Sequence, residues 1–280
     1  MDKNLLKRFT LGSFILTTIS LLILAFGKID YNLSLLLLNQ ESIWAKFFYI
    51  FGEQPAFWGL LIGTVILLSV HNKTNKILRF IYLLFRLMFS SLSTYLILII
   101  PIRYIYDKSI LSLNNINSIT AAIALVIGTI ITAIAPKYEE KLKKYRQQAV
   151  FLILVILSEL LIVTVMKDIW GRPRMRSISG FDEFRYWYEI SGPALGQEFK
   201  SFPSGHTANA FTILSYNVFV PSQKRYKGRV FFFLAVIWGS LVAVSRVVLG
   251  AHFTSDVVAG FFVTLACIYF YYNLLLDRHK

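Results

Sequence analysis

Eight apolar runs, at residues 9–26, 56–70, 80–102, 119–135, 149–166, 205–220, 230–248 and 257–276, dominate this chain. A helix needs about 20 residues to cross a hydrocarbon core of about 30 Å. Lipid offers the backbone no hydrogen bonds, so such runs are expected to be helical. The pattern predicts an all-α, polytopic transmembrane bundle of about eight spans, with residues 1–280 as a single membrane domain. The second, fourth and sixth runs are short and are expected to extend into their flanks. Charged residues make up only 16% of the chain, against roughly 25% in soluble domains. The first run follows Lys3, Lys7 and Arg8. It is longer than the apolar part of a signal peptide, and no Ala-x-Ala follows, so it reads as a retained span.

The formal net charge is +14, which in a soluble chain would suggest nucleic-acid binding. Here the lysines and arginines sit in short loops without a recognition motif, so nucleic acid is not an expected partner. They set orientation instead. With the N-terminus inside, the cytoplasmic segments hold Lys3, Lys7 and Arg8, then Lys73, Lys76 and Arg79, then basic stretches at 137–146, 224–229 and 278–280. Outside, only Lys28, Lys46, Arg103 and Lys108 are scattered; Lys167, Arg172, Arg174, Arg176, Arg185, Lys200 and Arg246 cluster near residues with chemical potential. Both termini are therefore expected in the cytoplasm. The single cysteine, Cys267, allows neither an intrachain disulfide nor a cysteine metal site.

Three clusters fall at the outer ends of runs. Lys167-Asp168-Ile169-Trp170-Gly171-Arg172-Pro173-Arg174 follows the fifth, and Pro203-Ser204-Gly205-His206 opens the sixth. The third, from Ser245-Arg246 through His252 to Asp256, joins the seventh and eighth. Four residues make about one helical turn, so His252 and Asp256 are expected to share a face. A carboxylate there would fix the imidazole tautomer and raise the basicity of the opposite nitrogen. Lys167, Arg174 and Arg246 bring cations suited to phosphate oxygens. Pro203 fits a first helical turn, leaving the N–H groups of Ser204, Gly205 and His206 as an anion site. Gly205 permits close backbone approach. His206 is placed to protonate a leaving oxygen while His252 attacks phosphorus.

Lys-x6-Arg, Pro-Ser-Gly-His and Ser-Arg-x5-His-x3-Asp, in this order, resemble the signature of the type 2 phosphatidic acid phosphatase (PAP2) superfamily, in particular its integral membrane lipid phosphatases. The resemblance covers Lys167 to Asp256. It implies that His252 forms a phosphohistidine, that Asp256 orients it, and that His206 protonates the leaving group. It also implies phosphoryl binding by Lys167, Arg174, Ser204, Gly205 and Arg246, with no metal and no cofactor. One departure is that Met175 follows Arg174 where the family usually has proline. Another is that the first motif follows the fifth run rather than the third, which makes 80–135 an inserted helix pair and 149–276 the catalytic core. The implied activity removes the terminal phosphate of a lipid in a bacterial cytoplasmic membrane, with the site on the outer face. Undecaprenyl diphosphate, phosphatidylglycerol phosphate and phosphatidic acid are candidate substrates. A phosphotransferase using a second lipid as acceptor is the enzymatic alternative, and a lipid transporter the alternative from another class. Activity is expected to survive a chelator, since no metal-ligand cluster is visible. Nothing in the sequence fixes an oligomeric state.

Several residues stand outside the motifs. Glu159 is mid-run, where an ionised carboxylate is expensive without a partner, and a structural pair with Arg86, or a hydrogen-bonded Glu159, is expected in preference to a direct catalytic part. Arg172, Arg176 and Lys200 read either as solvated loop charges or as substrate contacts. His71 and His279 read as ordinary interfacial polar residues. Phe181, Phe184, Trp187 and Tyr188 are spaced roughly as one helical face, suited to a headgroup region.

Overall fold

The structure, a computed structural model, describes residues 3–69, 76–106 and 112–277. His71, Lys73, Lys108, Arg278, His279 and Lys280 lie outside the described residues. Among the described residues every regular element is helical: α1 (Lys3–Leu24), α2 (Ile29–Leu37), α3 (Ile43–Phe51), α4 (Gln54–Ser69), α5 (Lys76–Ile105), α6 (Leu113–Ile134), α7 (Glu139–Lys143), α8 (Arg146–Trp170), α9 (Gly205–Phe211), α10 (Arg225–Val248) and α11 (Thr254–Tyr271), with short 3₁₀ and π stretches between and after them.

Six helical segments among the described residues are long and apolar enough to cross a membrane, and a seventh if the bent pair Phe9–Leu24 and Ile29–Leu37, turned by 100°, counts as one span. That is fewer than the eight expected. The run at 205–220 accounts for one missing span, and the bent first run for the other where it is not counted: 205–220 forms a seven-residue α9 followed by a 3₁₀ stretch, Thr212–Phe219. Its hydroxyls compete with regular α-helical pairing. Thr212 Oγ1 donates to the Asn209 carbonyl, and Ser215 Oγ to that of Thr212, at i−3 spacing.

The chain divides into two compact units, Met1–Pro55 with Val155–Asn273, and Ala56–Leu154 with Leu274–Lys280. The boundary falls inside α8, which is one continuous helix. In the first unit α11 packs on α1, α2, α9 and α10, and α10 also meets α2, α3 and α9. All three motifs and the N-terminal 55 residues lie in this unit. Lys167 is near the C-terminal end of α8, His206 near the start of α9, Arg246 in the last turn of α10 and Asp256 in the first turn of α11.

In the second unit, α5 and α6 pack against one another as a helical hairpin. The buried face of α5 carries Arg86, Ser90, Ser93 and Thr94, while Phe80, Leu84, Phe85 and Met88 are exposed, as on a helix facing lipid. Small residues at the seam allow close packing where the hydrophobic effect gives no drive between helices. The helix pair read as an insertion lies in this unit.

Candidate active site

His252 precedes α11 rather than lying on it. The helical-face argument is therefore not what brings it near Asp256. A tight turn does so: the N–H groups of Ala251 and His252 both donate to the Arg246 carbonyl, at 3.0 and 3.3 Å. Asp256, three residues past the N-cap Phe253, accepts the Phe253 N–H on Oδ2 at 2.8 Å, half of a capping box. The His252 ring is 1% exposed, and its Nδ1 lies 2.7 Å from the Ser201 carbonyl and 3.6 Å from Asp256 Oδ2. A carbonyl can only accept, so Nδ1 carries the proton and Nε2 keeps its lone pair. Burial pushes the His252 pKa well below its ordinary value, and the charges of Arg246, Arg174, Lys167 and His206 push the same way. The ring is thus neutral near pH 7, with three cations and a second histidine about it.

Asp256 is completely buried and anchors a network. Its Oδ2 also accepts from Ser201 Oγ at 2.5 Å, and its Oδ1 from Arg172 Nη1 at 2.5 Å. Arg172 is itself 0% exposed. It donates from Nη2 to Asp30 Oδ2 at 2.9 Å, from Nη1 to Ser255 Oγ at 2.7 Å and from Nε to the Arg185 carbonyl at 2.8 Å. Its guanidinium lies over the rings of Phe253 and Phe184, 4.5 and 5.2 Å from their centroids. Asp30 closes the circuit by accepting the Ser255 N–H at 3.0 Å and its hydroxyl at 2.5 Å. Arg172 is therefore neither a solvated charge nor a substrate contact. The other two residues read with it are ordinary ion pairs: Arg176 pairs with Glu198 through two bonds, and Lys200 with Asp168.

The loop before the second motif serves this network. Residues 176–202 form irregular chain with short 3₁₀ turns rather than the helix that the aromatic spacing suggested. Phe184 is buried against Met175 and Phe253, with Phe181 and Tyr31 packed beside it. Trp187 turns elsewhere and donates to the Leu21 carbonyl of α1 at 3.0 Å.

The second histidine has a different partner. His206 Nδ1 is 2.5 Å from Glu53 Oε1, and both side chains are nearly buried. Its ring stacks on Tyr49 at 5.4 Å between centroids, and the Arg246 guanidinium lies 4.4 Å from the same tyrosine ring. Burial and the Arg246 charge push the His206 pKa down to about 4, with Glu53 opposing both. Ser204 caps α9, its hydroxyl accepting from the Thr207 hydroxyl at 2.9 Å, and its N–H donates to the Asp256 carbonyl at 2.9 Å. A side chain at Gly205 would sit 3.2 Å from Lys167 Nζ, so glycine keeps room beside that ammonium. Arg174 lacks the following proline but is fixed otherwise, its N–H on the Glu198 carbonyl at 2.8 Å and its Nε on the Gln197 carbonyl at 3.0 Å.

The motif residues His252, Asp256, His206, Ser204, Gly205, Lys167, Arg174 and Arg246 thus converge at one end of α8 to α11. Asp30, Tyr49, Glu53, Ser201 and Ser255, which the motif reading passed over, complete their surroundings. Among the described residues no group of three His, Cys, Asp or Glu side chains could hold a metal ion.

Close packing holds α9 against α11. A Cβ at Gly260 would overlap the Ser204 carbonyl oxygen, a backbone atom that cannot swing aside. Gly260→Ala is expected to cost about 1–3 kcal/mol by overpacking and to displace the second motif. Thermal unfolding in detergent should show the lowered transition.

A family model described as the PAP2 superfamily matches residues 148–280. That region, just under half of the chain, is of the PAP2 superfamily. All three motifs lie in that matched stretch, whereas Asp30, Tyr49 and Glu53 precede it. Phosphatidylglycerophosphatase B of Bacillus subtilis (strain 168) is 38% identical over 74 residues, which cover 25% of this chain and 36% of that protein. The alignment therefore spans little more than a third of the relative's length. No solved structure matches the chain significantly. With a PAP2 region and six or seven candidate spans among the described residues, the chain is an integral membrane protein of all-helical architecture.

Proposed function

We propose that this protein is a membrane phosphatase that removes the terminal phosphate of a lipid through a phosphohistidine. The observation that carries the reading is the unequal anchoring of two buried histidines among Lys167, Arg174 and Arg246. His252 Nδ1 faces a carbonyl, which leaves Nε2 as a nucleophile; His206 Nδ1 faces the Glu53 carboxylate, which opposes the downward push of burial and Arg246, and the negative charge of a bound phosphate adds to that opposition, so that His206 carries the proton it donates. Environments that separate two titratable groups mark acid and base roles.

In the first step His252 Nε2 attacks phosphorus while the bond to the leaving oxygen breaks, and His206 gives that oxygen its proton. In the second, water attacks phosphorus, His206 takes a proton from it, and the P–N bond breaks to release inorganic phosphate. Lys167, Arg174, Arg246 and the α9 N-terminus hold the phosphoryl oxygens as their charge shifts. Asp256 acts at one remove, fixing the turn that carries His252 and, through its hydrogen bond with the Ser201 hydroxyl, the residue whose carbonyl meets Nδ1. Phosphatidylglycerol phosphate, undecaprenyl diphosphate and phosphatidic acid all present the required group, and the name of the Bacillus relative favours the first. The charge bias of the loops supports a site on the outer face.

Phosphate release from a panel of these lipids by the purified chain tests the reading; no release from any of them rejects it. Turnover is expected to be unchanged in EDTA, measured on the same panel. Glu53→Gln is expected to lower kcat about tenfold or more. Because Glu53 opposes the downward shift of His206, its neutralisation should move the basic limb of the kcat profile to lower pH. A purely structural loss would lower the whole profile without moving it.

A further inference from the structure

The hairpin of α5 and α6 carries a feature that the phosphatase chemistry does not use. A cleft of about 180 Å³ opens between the two helices, lined by Arg79, Tyr82, Leu83, Arg86, Thr132, Ala133 and Pro136. It is smaller than the roughly 300–1,000 Å³ pockets that enclose a whole small-molecule ligand, but it suits a single headgroup. Arg79 and Arg86, seven residues apart, stand two turns from one another on the same face of α5.

Arg86 is only 3% exposed. Its Nη1 donates to the Leu68 carbonyl at 3.2 Å, which satisfies one of the orphan acceptors at the C-terminal end of α4. Its Nε has no hydrogen-bond partner among the described residues, and neither does the buried Oγ1 of Thr132 across the cleft. The partner expected from the sequence does not supply the missing bond: Glu159 belongs to the other unit, and its carboxylate oxygens accept no hydrogen bond among the described residues. Glu139 is the acidic group whose charge reaches Arg86. A buried cation within a lipid-facing helix is costly unless something anionic meets it.

We propose that this cleft binds the phosphoryl headgroup of an anionic phospholipid. Arg86 Nε–H and the Thr132 hydroxyl supply donors inside, and Arg79, exposed at the rim, supplies the second charge. A free phosphate would bring the same chemistry, but the cleft's other walls are Leu83, Ala133, Pro136 and the Tyr82 ring. The apolar face of the hairpin leads to it, so the anion arrives on a lipid. Basic clefts between spans at the cytoplasmic side are suited to such headgroups, and the loop charges put Arg79 on that side. None of the candidate catalytic residues takes part.

Native mass spectrometry of the full chain in detergent tests the site by titration with phosphatidylglycerol, phosphatidylcholine and inorganic phosphate. One phosphatidylglycerol should be retained by the wild type, with affinity falling about tenfold in Arg86→Gln and severalfold in Arg79→Gln, and with phosphatidylcholine weak throughout. Should Arg86→Gln fail to fold, Arg79→Gln, at an exposed position, decides alone. Equal phosphatidylglycerol retention by the wild type and the folded variants overturns the site. So does phosphatidylcholine binding as firm as that of phosphatidylglycerol. Displacement of the lipid by millimolar inorganic phosphate overturns the lipid assignment and leaves a soluble anion as the ligand.

Discussion

Arg172→Ala is expected to destabilise the fold by about 3–5 kcal/mol, the range found when one partner of a buried ion pair is removed. The guanidinium joins Asp30 to Asp256 with no exposure to water, so its loss leaves two carboxylates facing one another without a cation. Ser255, bonded to both Asp30 and Arg172, cannot replace that charge. The loss should appear as a large drop in thermal transition and in folded yield, with turnover per folded molecule also reduced because Asp256 holds the turn behind His252. Arg172→Lys should recover little, since an ammonium cannot span Asp30, Asp256, Ser255 and the Arg185 carbonyl with one planar fork. Near-native stability in Arg172→Ala would show that the network is dispensable to the fold.

His252→Ala should abolish turnover, with a loss on the order of 10⁴-fold or more, as for other covalent nucleophiles. His206→Ala should lose roughly 10²–10⁴-fold, the usual contribution of a general acid. The two variants separate by leaving group. An aryl phosphate, whose departing oxygen needs no proton, should restore much of the His206→Ala rate and none of the His252→Ala rate. Phosphorylated protein should be trapped during turnover of the wild type and of His206→Ala, and never with His252→Ala. Equal rescue of both by the aryl substrate would reject the division of roles between the rings.

What the sequence made legible follows from distance along the chain. Apolar runs report helices one at a time, and six of the eight correspond to single candidate spans with extended flanks or trimmed ends. The run at 205–220 misled because hydropathy does not register the i−3 hydroxyl bonds that tighten Thr212–Phe219 into a 3₁₀ stretch. The motifs were readable because each cluster is local: Lys167 to Arg174, Ser204 to His206, and Arg246 to Asp256. Their partners were not, since Asp30 meets Ser255 across 225 positions and Glu53 meets His206 from the far side of α4 to α8 in sequence. Two weak signals did exist. Asp30 and Glu53 are isolated acids beside apolar runs, where a lone carboxylate is expensive. Arg172 sat in plain view, but nothing local distinguishes an arginine that will be fully buried from its neighbours Arg174, half-buried, and Arg176, exposed.

The carboxylate that braces Arg172 and Ser255 behind the turn carrying His252, and the one that grips the second imidazole, both come from the first 55 residues, outside the stretch that the family model matches. A protein cut to its recognisable region would keep every signature residue and lose both acids that hold them in register. Grafting that region onto a foreign N-terminal segment would therefore have to recreate two carboxylates, at the positions of Asp30 and Glu53, before the familiar motifs had anything to lean on.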